Sequence, residues 1–201
     1  MTVYPKHLVQ NFIIVLLTMV FALPTGVYAA GGPRGYDPEL SRPETSEPFD
    51  FEGYSVLCEV VDLGTIVEDR NRESLRGAVL RYRALTNRPE TTGWVTVLMN
   101  YDQHIKSGKG TSWGESEFVD DMGMVTFIEE SFENESKHFV WDVSGTMIGT
   151  GIYEGYMVDY VETPVNSEDV LGDEVPLDTC GDPEDDPVLG VSTFNGYIYE
   201  P

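Results

Sequence analysis

From residue 51 onward the chain is a succession of short β-branched and aromatic runs, punctuated by Gly, Asn and Asp. No stretch of ten or more residues carries a good 3.6-residue apolar period. That pattern points to an all-β fold. The runs that read as strands are Tyr54–Asp62, Arg76–Thr86, Gly93–Gln103, Gly114–Val119, Met124–Glu130, Lys137–Ile148, Tyr153–Thr163 and Val191–Tyr199. Several alternate cleanly. Val95, Val97, Met99 and Tyr101 share one face, and Trp94, Thr96, Leu98 and Asn100 share the other. Phe139, Trp141 and Val143 likewise fall together. Such alternation puts one face in a core and the other toward water or a cavity. The links are short, so neighbouring strands are expected to be antiparallel. Closing about eight of them into a barrel also removes exposed strand edges. A two-sheet sandwich is the alternative, and Arg70–Leu75 could form one helical turn at most.

The N-terminal segment has a different texture. Lys6 and His7 precede an apolar run from Phe12 to Leu23, Pro24 and Gly26 break it, and Val27-Tyr28-Ala29-Ala30 offers small residues for a peptidase. This is the pattern of a removable secretory signal over residues 1–30. An uncleaved anchor is the alternative, but a bilayer core needs about 20 apolar residues. Residues 31–50, rich in Gly, Pro, Ser and Glu, read as a flexible leader, which leaves 51–201 as the domain. A secreted or periplasmic location follows, with no membrane attachment once the signal is removed.

Export makes the two cysteines informative. In an oxidising compartment Cys58 and Cys180 are expected to bridge, which would exclude thiol catalysis. Past residue 30, 35 acidic side chains stand against 11 basic ones, a net charge of −24. Nucleic acid and anionic membranes are bound through Lys and Arg, so both are unexpected partners. Many of the charges lie in Pro164–Val188, which reads as a long acidic loop pinned by Cys180. Asp182–Asp186 holds hard oxygen ligands but lacks EF-hand spacing, so a solvated charge run is the default and no metal is expected.

The remaining motifs read as structure. Gly149-Thr-Gly-Ile-Tyr-Glu-Gly155 has no following helix for a phosphate or dinucleotide loop, and fits a tight turn between strands. Gly108–Gly114 reads as a second glycine-rich bend with an aromatic plug. His104 and His138 have no metal-ligand spacing, and no Gly-x-Ser-x-Gly elbow anchors a triad. Asn134-Glu-Ser136 matches the N-glycosylation acceptor pattern and is expected in a turn.

Three of these features together resemble the allene oxide cyclase/dirigent-like β-barrel group. They are the glycine turn at 149–155, Gly110-Thr-Ser-Trp-Gly114, and the C-terminal Asn195-Gly-Tyr-Ile-Tyr-Glu-Pro201. The resemblance covers about residues 52–201 and implies a barrel whose cavity takes an apolar small molecule. The group's known activities are cyclisation of a fatty-acid epoxide and stereochemical guidance of radical coupling; no catalytic position of either is matched here.

The expected function is non-catalytic binding of a small apolar or aromatic molecule in the barrel, without a cofactor. The cavity candidates are Trp94, Met99, Tyr101, Glu115, Phe139 and Trp141. The alternatives are a cyclase or isomerase using a buried ionisable group (Glu115, Glu117, His104 or Tyr101), and a structural or interaction module without a small ligand. The sequence does not define an oligomeric state.

Overall fold

A computed structural model of the protein describes residues 48–181 and 187–201. The expected signal segment, most of the leader and Asp182–Asp186 lie outside the described residues. Ten strands follow in order: β1 Phe49–Phe51, β2 Gly53–Asp62, β3 Thr65–Glu68, β4 Arg72–Thr86, β5 Gly93–His104, β6 Gly110–Asp120, β7 Val125–Lys137, β8 Val140–Gly149, β9 Met157–Val165 and β10 Gly190–Tyr199. Every pairing between them is antiparallel. β2, β4, β5, β6, β7, β8, β9 and β10 pair in that sequence, and β10 pairs back onto β2. Eight strands therefore close a barrel. The two short strands extend the wall at the ends of β2: β1 pairs with β10 and β3 with β4, each in the register of the adjoining β2 pairing.

Several local expectations need correction. Phe49 and Asp50, placed in the leader, belong to β1. The single helical turn considered at Arg70–Leu75 is instead the start of β4. The run read as one strand from Lys137 contains a hairpin turn: β7 ends at Lys137, His138 and Phe139 take positive φ (56° and 67°), and β8 starts at Val140. Positive φ at two consecutive non-glycine residues is uncommon, but it matches the twist of a tight hairpin. The Phe139 N–H donates to Gly108 O at 3.2 Å, tying this turn to the β5–β6 hairpin. Asn134, expected in a turn, is 5% exposed within β7, and its Oδ1 accepts the Ser144 N–H at 3.0 Å. In the folded barrel that amide is spent and buried.

The described part of the acidic loop is anchored to the barrel. Val170 and Val175 are buried in a small core with Val56 and Val191, against the outer face of β2 and β10. Cys58 and Cys180 bridge beside this patch, with Cα atoms 5.2 Å apart. The loop's described charges, at Glu168, Asp169, Asp173, Glu174 and Asp178, are exposed, while its few apolar residues hold it to the barrel wall.

Candidate functional site

Alternation decides what enters the barrel. Phe118 and Phe127 fix the inward phase of β6 and β7; Val95 pairs with Phe118 and fixes that of β5. From these, Val97, Met99 and Tyr101 of β5 point inward, as do Trp141, Val143, Gly145 and Met147 of β8, and Val158, Tyr160 and Glu162 of β9. One end is filled. Phe51, Phe118, Phe127, Tyr153, Tyr156 and Phe194 form a continuous aromatic core there with Ile198, each 4% exposed or less. Toward the other end the inward residues Val97, Met99, Tyr101, Trp141 and Val143 all keep part of their accessible surface. Tyr101 and Trp141 stand together at this mouth, ring centroids 6.0 Å apart.

Between plug and mouth lies a polar belt. Glu129 of β7, only 2% exposed, accepts Ser116 Oγ at 3.1 Å and Tyr160 Oη at 2.9 Å on one oxygen. Its other oxygen accepts the Thr146 N–H at 3.1 Å. The last contact repairs the wall. Pairing between β7 and β8 is interrupted between Ile128↔Ile148 and Glu135↔Asp142. Within that gap the N–H groups of Ser144 and Thr146 donate to the side chains of Asn134 and Glu129. Gly145 makes the space: a Cβ there would lie 2.0 Å from Glu129 Oε1 and 2.8 Å from the Tyr160 hydroxyl. Burial raises the Glu129 pKa, partly opposed by the hydrogen bonds from Tyr160, Ser116 and Thr146.

Glu162 and Tyr82 complete the belt. Both point inward and are partly buried, Glu162 paired with Phe194 and Val143, and Tyr82 packed against the aromatic core. Burial pushes Glu162 up to about 7, with the Ser55 hydroxyl opposing the shift and the charge of Glu129 adding to it. Burial likewise raises the Tyr82 phenol, reinforced by Glu162, and the Tyr160 phenol, reinforced by Glu129. The described Lys and Arg side chains are all exposed or, for Arg83, paired with Asp121 on the outer face. The belt thus holds two carboxylates and no described cation.

The sequence-stated candidates divide between the two faces. Met99, Tyr101 and Trp141 point into the open half. Trp94 is on the outer face, covered by the guanidinium groups of Arg81 and Arg83 at 4.4 and 5.4 Å from its ring centroid. Glu115 and Glu117 are exposed on the outer face of β6, because the inward phase belongs to Ser116 and Phe118. Phe139 sits in the β7–β8 turn, 39% exposed. His104 is exposed at the end of β5, where its ring contacts Ser107. Glu129, Glu162, Tyr82 and Ser55, which the register turns inward, are not among the residues expected from the sequence. The available signal was phase: Glu129 follows Phe127 by two residues, Glu162 follows Tyr160 by two, and Gly145 interrupts a strand.

Comparison of the chain with protein-family models, with curated proteins and with solved structures finds no match.

The raised Glu162 has a consequence for stability. Folding raises its proton affinity from an unfolded value of 4.5 to about 7, so between these pH values the folded state binds more protons than the unfolded one. Stability therefore falls as pH rises through this window, by about 3 kcal/mol in full. Glu162→Gln removes that loss. Urea unfolding at pH 4.5 and pH 8 should show the variant gaining on the wild type as pH rises; a constant difference between the two would refute the assignment.

Proposed function

We propose that this protein is an exported, non-catalytic carrier or receptor that holds one small, largely apolar molecule inside the barrel. The observation that carries this reading is the asymmetry of the interior. One end is packed with aromatic rings, while toward the Tyr101–Trp141 pair the inward Val97, Met99, Tyr101, Trp141 and Val143 keep part of their accessible surface beside the buried Leu75, Leu80, Ser112 and Ser136. Barrels of eight strands either fill with side chains or take one ligand, and the partly accessible inward residues away from the aromatic core support the second use here. The resemblance to the allene oxide cyclase/dirigent-like group supports the same use of a barrel. The Cys58–Cys180 bridge fits an oxidising compartment, and no helix among the described residues is long and apolar enough to cross a membrane.

Intrinsic fluorescence tests this directly. Of the three tryptophans, Trp141 points into the open half, while Trp94 and Trp113 lie outside under arginines. Titration with small phenolics and medium-chain lipids is expected to change Trp141 emission. The response should vanish in Trp141→Phe and survive in Trp94→Phe. No response from any compound, or one that survives Trp141→Phe, would count against an interior site.

One observation favours a second reading. A carboxyl group poised near neutral pH in an apolar space, beside a phenol, suits proton transfer on a bound substrate, as an isomerase or cyclase would need. Recovery of every bound compound chemically unchanged after long incubation would exclude it.

A further inference from the structure

We propose that the Tyr101–Trp141 end of the barrel is a docking surface for an anionic lipid membrane, formed by a rim of unpaired cations around an exposed apolar tip. The net charge of the chain opposes such a partner, but its distribution reverses the balance at this end. Of the nine Lys and Arg residues in the described chain, Arg76, Arg81 and Arg83 are ion-paired on the outer wall, and Arg88 lies over the Phe49 ring. The other five are Arg70, Arg72, Lys106, Lys109 and Lys137. All are exposed, and none forms an ion pair with a described residue. They lie in or beside three turns at one end of the barrel, β3–β4, β5–β6 and β7–β8. Hydrogen bonds join these turns into one rim. The Ile105 N–H donates to Asn71 O at 2.8 Å, and the Gly108 carbonyl accepts the Phe139 N–H at 3.2 Å and the Ser136 hydroxyl at 2.9 Å.

Nearby carboxylates are engaged or lie below the rim. Asp69 Oδ1 accepts the N–H groups of Asn71 and Arg72, and Glu73 accepts the Tyr101 hydroxyl. Glu68 is exposed beside this turn, and the acidic wall resumes at the Glu135–Asp142 pair, two residues below Lys137. The turns at the opposite end carry Glu90, Asp120, Asp121 and Glu154 against Arg88, so charge is segregated along the barrel axis. The acidic loop does not cancel the rim. It is docked on Val56, which pairs with Arg83, about 35 Å along β4 from Arg72. Charges are screened over about 8 Å at physiological ionic strength. The tip selects among anions. Phe139 and Val140, next to Lys137, are 39% and 56% exposed, and the Phe139 ring rests on Gly108. A sulfated polysaccharide or an acidic polypeptide is hydrated along its length and would use the cations alone. A bilayer interface takes the apolar side chains among its headgroups while Lys and Arg reach the phosphates. This surface does not depend on what the barrel holds.

Vesicle sedimentation tests the rim, with residues 31–201 so that the apolar N-terminal run cannot itself insert. One set of vesicles is phosphatidylcholine alone; the other is equal parts phosphatidylcholine and phosphatidylglycerol. Binding is expected to the mixed vesicles only, and should disappear in about 0.5 M salt. Lys106→Gln/Lys109→Gln should weaken it by about ten-fold or more. Val161→Glu/Thr163→Glu changes the net charge equally but on the exposed wall of β9, and should leave binding within about two-fold. Phe139→Asn, a residue that tolerates the positive φ at this position, should weaken it several-fold. Urea midpoints establish that each variant is folded. The inference is overturned if neither vesicle binds, if both bind equally, or if the two double variants lose binding to the same extent. Undiminished binding by Phe139→Asn would also overturn it, as would binding to soluble heparin or polyglutamate with none to vesicles.

Discussion

Glu129→Ala is expected to lower the unfolding free energy by about 3–5 kcal/mol, a loss set by what the carboxylate leaves behind rather than by the volume removed. Its two oxygens take the Ser116 and Tyr160 hydroxyls and the Thr146 N–H, all inside or within the barrel wall. Removing it leaves these donors without their acceptor and reopens the β7–β8 gap, where strand pairing is already interrupted. Glu129→Gln keeps an acceptor for Thr146 and sheds a buried charge, so its cost should stay near about 1 kcal/mol. Urea denaturation of the two variants at pH 7 measures the difference. Equal losses for alanine and glutamine would mean that the hydrogen bonds at this position do not hold the wall together.

The second large effect concerns the bridge. Cys58 and Cys180 are 122 residues apart, and closing a loop of that length stabilises the folded state by about 5 kcal/mol in the chain-entropy model. A Cys58→Ser/Cys180→Ser variant should lose stability on that scale and should also lose its grip on the acidic segment. The segment is held by a small patch, Val170 and Val175 against Val56 and Val191, whereas the barrel has its own aromatic core. Limited proteolysis should therefore cut the variant first within residues 166–189 while the β2–β9 body stays intact. A variant as resistant there as the wild type would show that the apolar patch suffices without the bridge.

These expectations show where the sequence was informative. Each of the eight barrel strands overlaps a β-branched or aromatic run of the sequence, and several of those runs alternate, because a strand buried on one face must repeat every two residues. Alternation does not say which face is inner. Trp94 and Val95 alternate equally well, and the choice is made by packing: Val95 meets Phe118 inside, while Trp94 is stacked by Arg81 and Arg83 outside. Phe139 was misplaced because Lys137-His138-Phe139 has strand-like composition and no glycine to mark the turn. The acidic loop concealed its valines among charges, and its docking depends on a β2–β10 pairing between strands far apart in the chain.

The belt itself was the least legible part. A chain with 35 acidic residues offers no compositional reason to single out two of them as inward. Only the register, which places Glu129 and Glu162 in phase with Phe127 and Tyr160, identifies them. The same register explains why Glu115 and Glu117 were poor choices, since Ser116 between them points inward.

A ligand held in the barrel between Glu162 and Trp141 should respond to side chains that fill that half. Two neighbouring residues of β5 test it most directly, because Val97 points into that half and Leu98 points out. Binding of N-phenyl-1-naphthylamine should be abolished by Val97→Trp, with Val143→Phe as an independent filling variant, and be unchanged in Leu98→Trp. Urea midpoints would establish that each variant is folded. Equal probe binding by folded Val97→Trp, Val143→Phe and Leu98→Trp proteins would contradict an interior site.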